Sequence, residues 1–466
     1  MLFADLRDWI AFLEKQEELV RVTREVRAEP DIGAMGRAIC DTQGPGVLLE
    51  KVAGFATPVA VGLHGSWRRS NLAVGLPADA TRKEQVERWV AALKAHETNP
   101  IRAEMVTGAP CKQNVVTGSQ VNLFALPVPR LNKQDASFYL SKPLCITRDP
   151  DSGWVNVGMY RMMILNRNEA GILLMPFQDI GHHFAKYLGQ GRSMPMAVAL
   201  GTEPALPMLA GAKIPVGWSE YDVVSTLRGE PEELVWGETV DLPVPAHAEI
   251  VLEGQVRHDR RALEASFGEF TGAYSAYEMV PVFEVQAITY RDNPIYEALY
   301  IGKPYHEADY MTMCTKLAGL WHAIMPKHPQ IKQIAFLPPY CLNTVVQGRW
   351  RHTGDPRVVM NALWGHGLVQ KIITCVDEDV DPWDPAQVMW AIATRSQADK
   401  DLVIIPDCPP SLDPSQSLHG TLCRLGIDAT KTRPPYHRSK PAAGWVEPPE
   451  GTEEWKHELA NSSRRE

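Results

Sequence analysis

Leu6, Trp9, Ile10 and Leu13 recur three and four apart directly behind Asp5, so the chain opens on an amphipathic helix capped by that aspartate. The same spacing returns at Val86, Trp89, Val90 and Leu93, which predicts a helix over about 81–96. Between the two helices, GVLLEKV and TPVAVGL are short apolar runs of strand length. This opening stretch reads as a small α/β unit ending near residue 120.

From about 120 to 300 the pattern changes. WVNVGMYRMMIL, GILLMPF, MPMAVALG, AEIVLEGQV and FEVQAITY are short, rich in Val, Ile and aromatics, and separated by Gly, Pro and Asn. That texture belongs to a strand-rich domain, a barrel or sandwich. A helix is expected over about 308–324, with Met311, Cys314, Leu317 and Trp321 on one face. Beyond it IKQIAFL, KIITCVD and DLVIIP alternate with helical stretches, an α/β texture. One of those helices has Asp384 at its N-cap and Pro385 in its first turn. After about residue 430 the chain is Pro-rich and charged and is expected to wrap or extend. The pattern divides the chain into 1–120, 121–307 and 308–466, with no internal repeat and no low-complexity tract.

Composition narrows the class. The 466 residues are 45% hydrophobic and 22% charged, the proportions of a globular protein of two or three domains. A formal net charge of −9, with no Lys/Arg cluster, argues against a duplex nucleic acid as partner. No apolar stretch approaches the ~18–20 residues needed to span a bilayer. MLFADLRDWIAFLEKQ carries acids among its apolar positions and has no basic leader, so it is not read as a signal peptide. The cysteines at 40, 111, 145, 314, 341, 375, 408 and 423 are scattered without a C-x-x-C pair. They read as reduced thiols, and a cytoplasmic setting is expected.

Several tempting motifs dissolve on inspection. Asp377, Glu378, Asp379 and Asp381 resemble a calcium loop, but Pro382 stands where the turn glycine belongs and Val388 where the bidentate Glu belongs. A solvated strand-to-helix loop is the plainer reading. GQGRS at 189–193 lacks the strand–helix frame of a phosphate loop. His182 and His183 are adjacent, so on a helix they point about 100° apart and do not chelate one ion together. H-E-x-x-H, G-x-S-x-G and G-x-G-x-x-G are all absent.

Two segments hold more chemistry. In RALEASFGEFTGAY, Glu264 and Glu269 would lie on opposite faces of an unbroken strand, but Ser266, Phe267 and Gly268 can bend the chain and bring both carboxylates to one site. Two neighbouring carboxylates raise one another's pKa, which suits a proton donor near neutral pH. Alone, the pair reads more simply as two surface glutamates. In GWVNVGMYRMM, Asn156 and Arg161 occupy opposite strand faces, so a shared ligand requires the strand to bulge or end, with Gly158 the expected place. Arg offers a planar fork to a carboxylate or phosphate, and Asn a neutral oxygen to a hard cation. By itself this is also ordinary strand composition with an exposed arginine.

WVNVGMYR, WSEYDVV, AHAEIVLEG, LEASFGEFTG and VDEDVDPWDPAQVMWAIATR follow one another in the order typical of UbiD-like decarboxylases, and the resemblance runs from the opening helix to about residue 430. It implies a carboxy-lyase that reversibly decarboxylates aromatic, heteroaromatic or α,β-unsaturated acids on prenylated FMN, with Mn2+ (or Mg2+) and K+. Arg161, Glu264 and Glu269 match the family's catalytic trio. Asn156 and Glu220 match two of its metal ligands. The third, a His in similar proteins, falls on Asp179 here, with His182 as an alternative. The implied cofactor contacts are Asn156, Met159, Tyr160, Arg161, Gln178, Asp179, Glu220 and Arg424, the last standing where a phosphate-reaching Lys is usual. Phe270 and Ala308 border the implied substrate pocket, and His306 is either a substrate contact or a surface residue.

The implied architecture is α+β and α/β: a small N-terminal α/β unit, a split-barrel flavin-binding core and a C-terminal α/β oligomerisation domain reached through a helix. A homodimer or homohexamer is implied, with the Pro-rich tail a candidate to cross between subunits, and a flavin prenyltransferase as cofactor supplier. An FMN-dependent oxidoreductase would have no use for the carboxylate pair. A catalytically silent subunit would draw support only from Asp179.

Overall fold

The computed structural model describes residues 2–366, 370–409, 412–416, 420–431, 446 and 448–462. The opening helix, Leu6–Lys15, begins where Asp5 accepts a 2.8 Å hydrogen bond from the Asp8 amide, and Leu6, Trp9, Ile10 and Leu13 are buried. Thr81 and Glu84 form a reciprocal capping box ahead of helix Arg82–Thr98, where Val86, Trp89 and Leu93 are buried. Such caps contribute ~1 kcal/mol each.

The first sheet is not built from the first segment alone. Leu19–Val22, Gly46–Leu49 and Val59–Val61 are completed by Tyr296–Ala298, which pairs parallel with Val59–Val61. Glu104–Met105 and Asn114–Thr117 instead join sheets of the following segment. Strands of three or four residues form too small a sheet to stand by themselves, and Tyr296, fully buried, closes this one.

The central sheet has nine strands. Its path runs Tyr139–Leu140, Met162–Ile164, Glu169–Ile172, Glu278–Tyr290, Ile250–Glu264, Met194–Leu200, Leu144–Arg148 and Val155–Met159, with Asn114–Thr117 also paired to Glu278–Tyr290. Register shifts after Glu253 and after Val256 bend the long hairpin and curl the sheet into a half-barrel. Gly254 is needed at the first shift, because a Cβ there would lie 1.9 Å from the Glu284 carbonyl oxygen.

The strand expected to yield at Gly158 runs through it to Met159 and breaks at Tyr160–Arg161 instead. Val155–Met159 is one end of the sheet path and Met162–Ile164 lies next to the other, beside Tyr139–Leu140, so these two residues carry the chain across the open side of the barrel. Gly158 serves a different purpose: a Cβ there would sit 2.3 Å from the Tyr160 hydroxyl, whose ring folds back over it.

Helix Glu307–Ile324 buries Met311, Cys314, Leu317 and Trp321, but also Tyr310, Thr312, Met313, Thr315 and Leu320. It is enclosed on nearly every side, packing on Arg82–Thr98, Ala205–Ala210 and strand Ile331–Leu337. It leads to a five-stranded sheet in the order Ile331–Leu337, Asn343–Gly348, Ile372–Asp377, Leu422–Ala429, Leu402–Cys408. Asp384 caps helix Pro385–Arg395 by accepting from the Ala386 amide at 2.8 Å.

The acidic run before that helix is not merely solvated. The buried Arg395 guanidinium pairs with Asp377 and Asp379, and Lys431 adds a second cation to Asp379. Thr452–Ser462 is helical, while residues 432–445 of the Pro-rich stretch lie outside the described residues. Among the described residues no helix is long and apolar enough to cross a membrane. All eight cysteines are free, and all but Cys423 are buried.

Candidate active site

A cavity of about 350 Å³ opens between the rim of the half-barrel, helix Glu307–Ile324 and the start of the C-terminal sheet. Met159, Tyr160 and Arg161 line it from the strand break, and Gln178 and Asp179 from the start of helix Asp179–Gly189. Glu269 and Phe270 enter from the turn beyond strand Ile250–Glu264.

Arg161 holds the two predicted glutamates together. Its Nε and Nη2 donate to the two carboxylate oxygens of Glu264 at 3.1 and 2.8 Å, and its Nη1 donates to Glu269 Oε1. The guanidinium also lies over the Phe267 ring, 5.3 Å from its centroid. Glu264 ends its strand, and the next five residues turn back so that Glu269 reaches the same arginine.

That turn is pinned from below. Asp135 accepts from the Gly268 amide at 2.8 Å and from the Leu131 and Asn132 amides, while the Ala136 amide donates to the Ser266 carbonyl. Gly268 was expected to supply conformational freedom, but its φ lies outside the left-handed region. It is needed for closeness, since a Cβ would meet Asn132 Nδ2 at 2.3 Å.

Burial raises the pKa of both glutamates, opposed by the charge of Arg161. Glu264 adds further to the rise at Glu269. Burial alone would lower the Arg161 guanidinium, but the two carboxylates raise it. The arrangement is a fixed cation with one carboxylate bound by both oxygens and a second, facing the cavity, disposed to carry a proton.

Behind this wall lies a second polar group. Asn156 is 2% exposed and its Nδ2 has no hydrogen-bond partner. Glu220, at the first turn of helix Glu220–Arg228, accepts from the Val157 amide at 2.8 Å. Burial, reinforced by the Asp179 charge, pushes its carboxyl up to about 8. Burial raises Asp179 as well. The Asn156 side-chain amide through its oxygen, the buried Glu220 carboxyl, which among the described residues has no cation paired to it, and the half-buried Asp179 carboxyl are a donor set suited to a hard divalent ion. Among the described residues no group of three His, Cys, Asp or Glu side chains is placed to hold a metal ion, so the set depends on the asparagine.

The histidines divide. His182 is exposed on helix Asp179–Gly189. His183 is buried, its Nδ1 3.0 Å from the Thr147 hydroxyl and its ring edge-on to Trp154. Ala308 lines the cavity, and so does His306, which is buried rather than on the surface.

Arg424 is not brought to the site. It stands on strand Leu422–Ala429, donates to the Trp364 carbonyl at 3.0 Å and does not line the cavity. Its strand lies within the C-terminal sheet, where the side chain closes over helix Asp355–Gly365. Lys213 and Lys316 line the cavity in its place. They and Asp309 carried no local sequence signal, because each reaches the cavity from an element placed there only by tertiary packing.

Residues 10–89, 104–304 and 309–429 match in turn the N-terminal, Rift-related and C-terminal domains described for 3-octaprenyl-4-hydroxybenzoate carboxy-lyase, UbiD. The phenolic acid decarboxylase of Bacillus subtilis (strain 168) is 35% identical over 475 residues, 98% of this chain and 99% of the relative. Vanillic acid decarboxylase of Sedimentibacter hydroxybenzoicus in its closed form superposes with a TM-score of 0.92 at 34% identity, covering 100% of each chain. The UbiD-class enzyme HmfF from Pelotomaculum thermopropionicum, in an evolved dimeric form in complex with prFMN, gives a TM-score of 0.82 at 30% identity, over 97% of this chain and 98% of that one. With three matched domains in order and relatives alike over nearly their whole length, this chain belongs to the UbiD family of carboxy-lyases.

Proposed function

We propose that the protein catalyses the reversible, non-oxidative decarboxylation of an aromatic acid with prenylated FMN. The observation that carries this reading is Arg161, gripped by Glu264 and Glu269 with Glu269 on the cavity wall. The relatives' names, phenolic acid decarboxylase and vanillic acid decarboxylase, and the prFMN complex of HmfF support the substrate class and the cofactor.

Prenylated FMN, when bound, supplies the electron sink that decarboxylation needs and that no side chain here offers. Met159, Tyr160 and Gln178 would flank it. Asn156, Asp179 and Glu220 would hold a Mn2+ (or Mg2+), which would supply positive charge to the cofactor's phosphate, with K+ as a second ion. Arg161 would orient the substrate carboxylate through its charged fork, and Glu264 fixes the plane of that fork. Glu269, whose pKa burial raises against the opposing charge of Arg161, faces the cavity and would deliver a proton from its carboxyl oxygen to the carbon that has lost carbon dioxide. Phe270 and the small side chain of Ala308 leave room for a flat ring. The division at residues 120 and 307, a homodimeric or homohexameric assembly, a cytoplasmic location and supply by a flavin prenyltransferase complete the reading.

The test is protein co-expressed with a flavin prenyltransferase, assayed by intact mass of the released ligand and by carbon dioxide release from hydroxybenzoates. Prenylated FMN, one per chain, with turnover is expected. Plain FMN retained in the presence of the prenyltransferase, with no carbon dioxide released, would refute it.

A further inference from the structure

Arg161 and its two glutamates lie 103 and 108 residues apart in sequence, and no backbone ladder joins them. Arg161 precedes strand Met162–Ile164, whereas Glu264 ends strand Ile250–Glu264, and Glu169–Ile172 and Glu278–Tyr290 stand between those strands in the sheet. The distance from the guanidinium to the turn must therefore be set by side chains. The stretch from Gln134 to Tyr139 supplies them. The Ser266 hydroxyl donates to the Gln134 carbonyl at 2.6 Å, Asp135 accepts from the Gly268 amide, and the Ala136 amide donates to the Ser266 carbonyl.

Tyr139 adds contacts that reach both halves of the trio. Its hydroxyl donates to the carbonyl of Ala265, the residue after Glu264, at 2.8 Å. Its ring packs on Phe267 with centroids 4.6 Å apart, and Phe267 is the ring that the Arg161 guanidinium lies over. Its backbone pairs with Met163, two residues beyond Arg161. Tyr139 is 1% exposed and does not line the cavity, so it has no contact to offer a substrate. Burial, reinforced by the Glu264 charge and opposed by Arg161, holds its phenol above the ordinary range. At neutral pH the hydroxyl is thus a fixed donor and not a proton carrier.

We propose that Tyr139 is a positioning residue of the catalytic trio: its hydroxyl and ring tie the turn from Glu264 to Glu269 to the strand that follows Arg161, and so set where the proton donor stands. The inference rests on the decarboxylase reading and adds to it a residue outside the cavity on which turnover depends.

The test is Tyr139→Phe, which keeps the ring on Phe267 and removes the hydroxyl alone. In cofactor-loaded enzyme acting on the hydroxybenzoate it turns over fastest, kcat should fall about 10-fold with KM within about 3-fold of wild type, because the lost contact bears on proton delivery and not on binding. The solvent deuterium isotope effect on kcat should rise with it, while cofactor content per chain stays at the wild-type level. A merely structural role would instead lower cofactor content and activity together. Independently of turnover, hydrogen–deuterium exchange at the Gly268 and Glu269 amides, which donate to Asp135 and to the Ala273 carbonyl, should quicken by ~5-fold or more. Should Tyr139→Phe fold poorly, Phe267→Leu withdraws the ring between Tyr139 and Arg161 and is read by the same split of kcat against KM. An unchanged kcat, a kcat that falls only in proportion to lost cofactor, or exchange at the turn as slow as in wild type overturns the positioning role. Quickened exchange at the turn of Tyr139→Phe, with carbon dioxide released by neither wild type nor variant, sustains the tie and overturns the decarboxylase reading instead.

Discussion

Replacing Gly268 by alanine adds one methyl group to the turn that carries Glu269. The added Cβ lies 2.3 Å from Asn132 Nδ2 and 2.8 Å from its Cγ. Asn132 is not free to swing aside, because its Nδ2 donates to the Ile301 carbonyl at 2.9 Å and its Oδ1 accepts from the Tyr300 hydroxyl at 3.0 Å. The turn must therefore retreat by about 1 Å to reach ordinary contact, an overpacking worth ~1–3 kcal/mol of stability. Retreat also stretches the bond from the Gly268 amide to Asp135 and carries Glu269 away from the reacting carbon. A displacement of about 1 Å at a catalytic group costs ~100-fold in kcat. The assay is carbon dioxide release at saturating acid by cofactor-loaded enzyme, with thermal unfolding measured alongside. Loss of kcat in protein that is still folded and loaded is the expected result. A kcat close to wild type in Gly268→Ala would refute the claim that this turn positions the donor.

Glu269→Gln should abolish turnover, by ~100-fold or more, while leaving cofactor content intact; decarboxylation at the wild-type rate would unseat Glu269 as donor. Asn156→Ala and Glu220→Gln should each weaken Mn2+ binding by at least ~10-fold, measured by metal content after dialysis, and full occupancy in both would remove them from the metal site. The pH dependence of folding offers a fourth test. Asp309 binds its proton more tightly folded than unfolded, so its contribution to stability falls as pH rises from 3.8 to about 7. His306 binds its proton less tightly when folded, so its contribution grows from about 3 to 6.5, and the two slopes oppose each other over the shared window. Asp309→Asn removes only the falling slope. Urea midpoints should then climb more steeply with pH between about 4 and 6.5 than in wild type, and parallel curves would show that Asp309 does not titrate as its burial implies.

Local signals were legible wherever the physics is local. Asp5 and Asp384 mark helix starts because a cap acts on amides two or three residues away. The pairing of Glu264 with Glu269 was legible as a possibility, since only a bend between them was needed. What decided it, the arginine that binds both, sits about a hundred residues earlier, and the resemblance supplied it. Features set by pairing over long sequence distances were not legible. Tyr296–Ala298 closes a sheet begun at Leu19, and nothing near residue 296 says so. The break at Tyr160–Arg161 was placed two residues early, because glycine is the ordinary signal for a bend, whereas here the sheet's closure dictates where the strand stops. Arg424 and Lys213 show the same limit, since which cation reaches a cavity depends on which elements pack around it.

Tyr160 and Arg161 alone link strand Val155–Met159, on one rim of the central half-barrel, to Met162–Ile164, which lies beside the other rim strand Tyr139–Leu140. Asn156 is anchored to the first rim by the pairing of its strand with Leu144–Arg148, and Arg161 is tied by its two glutamates to the end of strand Ile250–Glu264 and the turn beyond it. This makes the segment intolerant of a change in length in a way that it is not intolerant of a change in side chain. One residue inserted between 156 and 161 would have no loop to absorb it, and would displace the amide and the guanidinium relative to each other whatever residue it was. The turn at Asp149–Gly153, with exposed Asp151, Ser152 and Gly153, has room to lengthen at little cost. Drift among descendants of this chain is therefore free to add or delete residues there, while the count from Asn156 to Arg161 is held constant by the width of a gap.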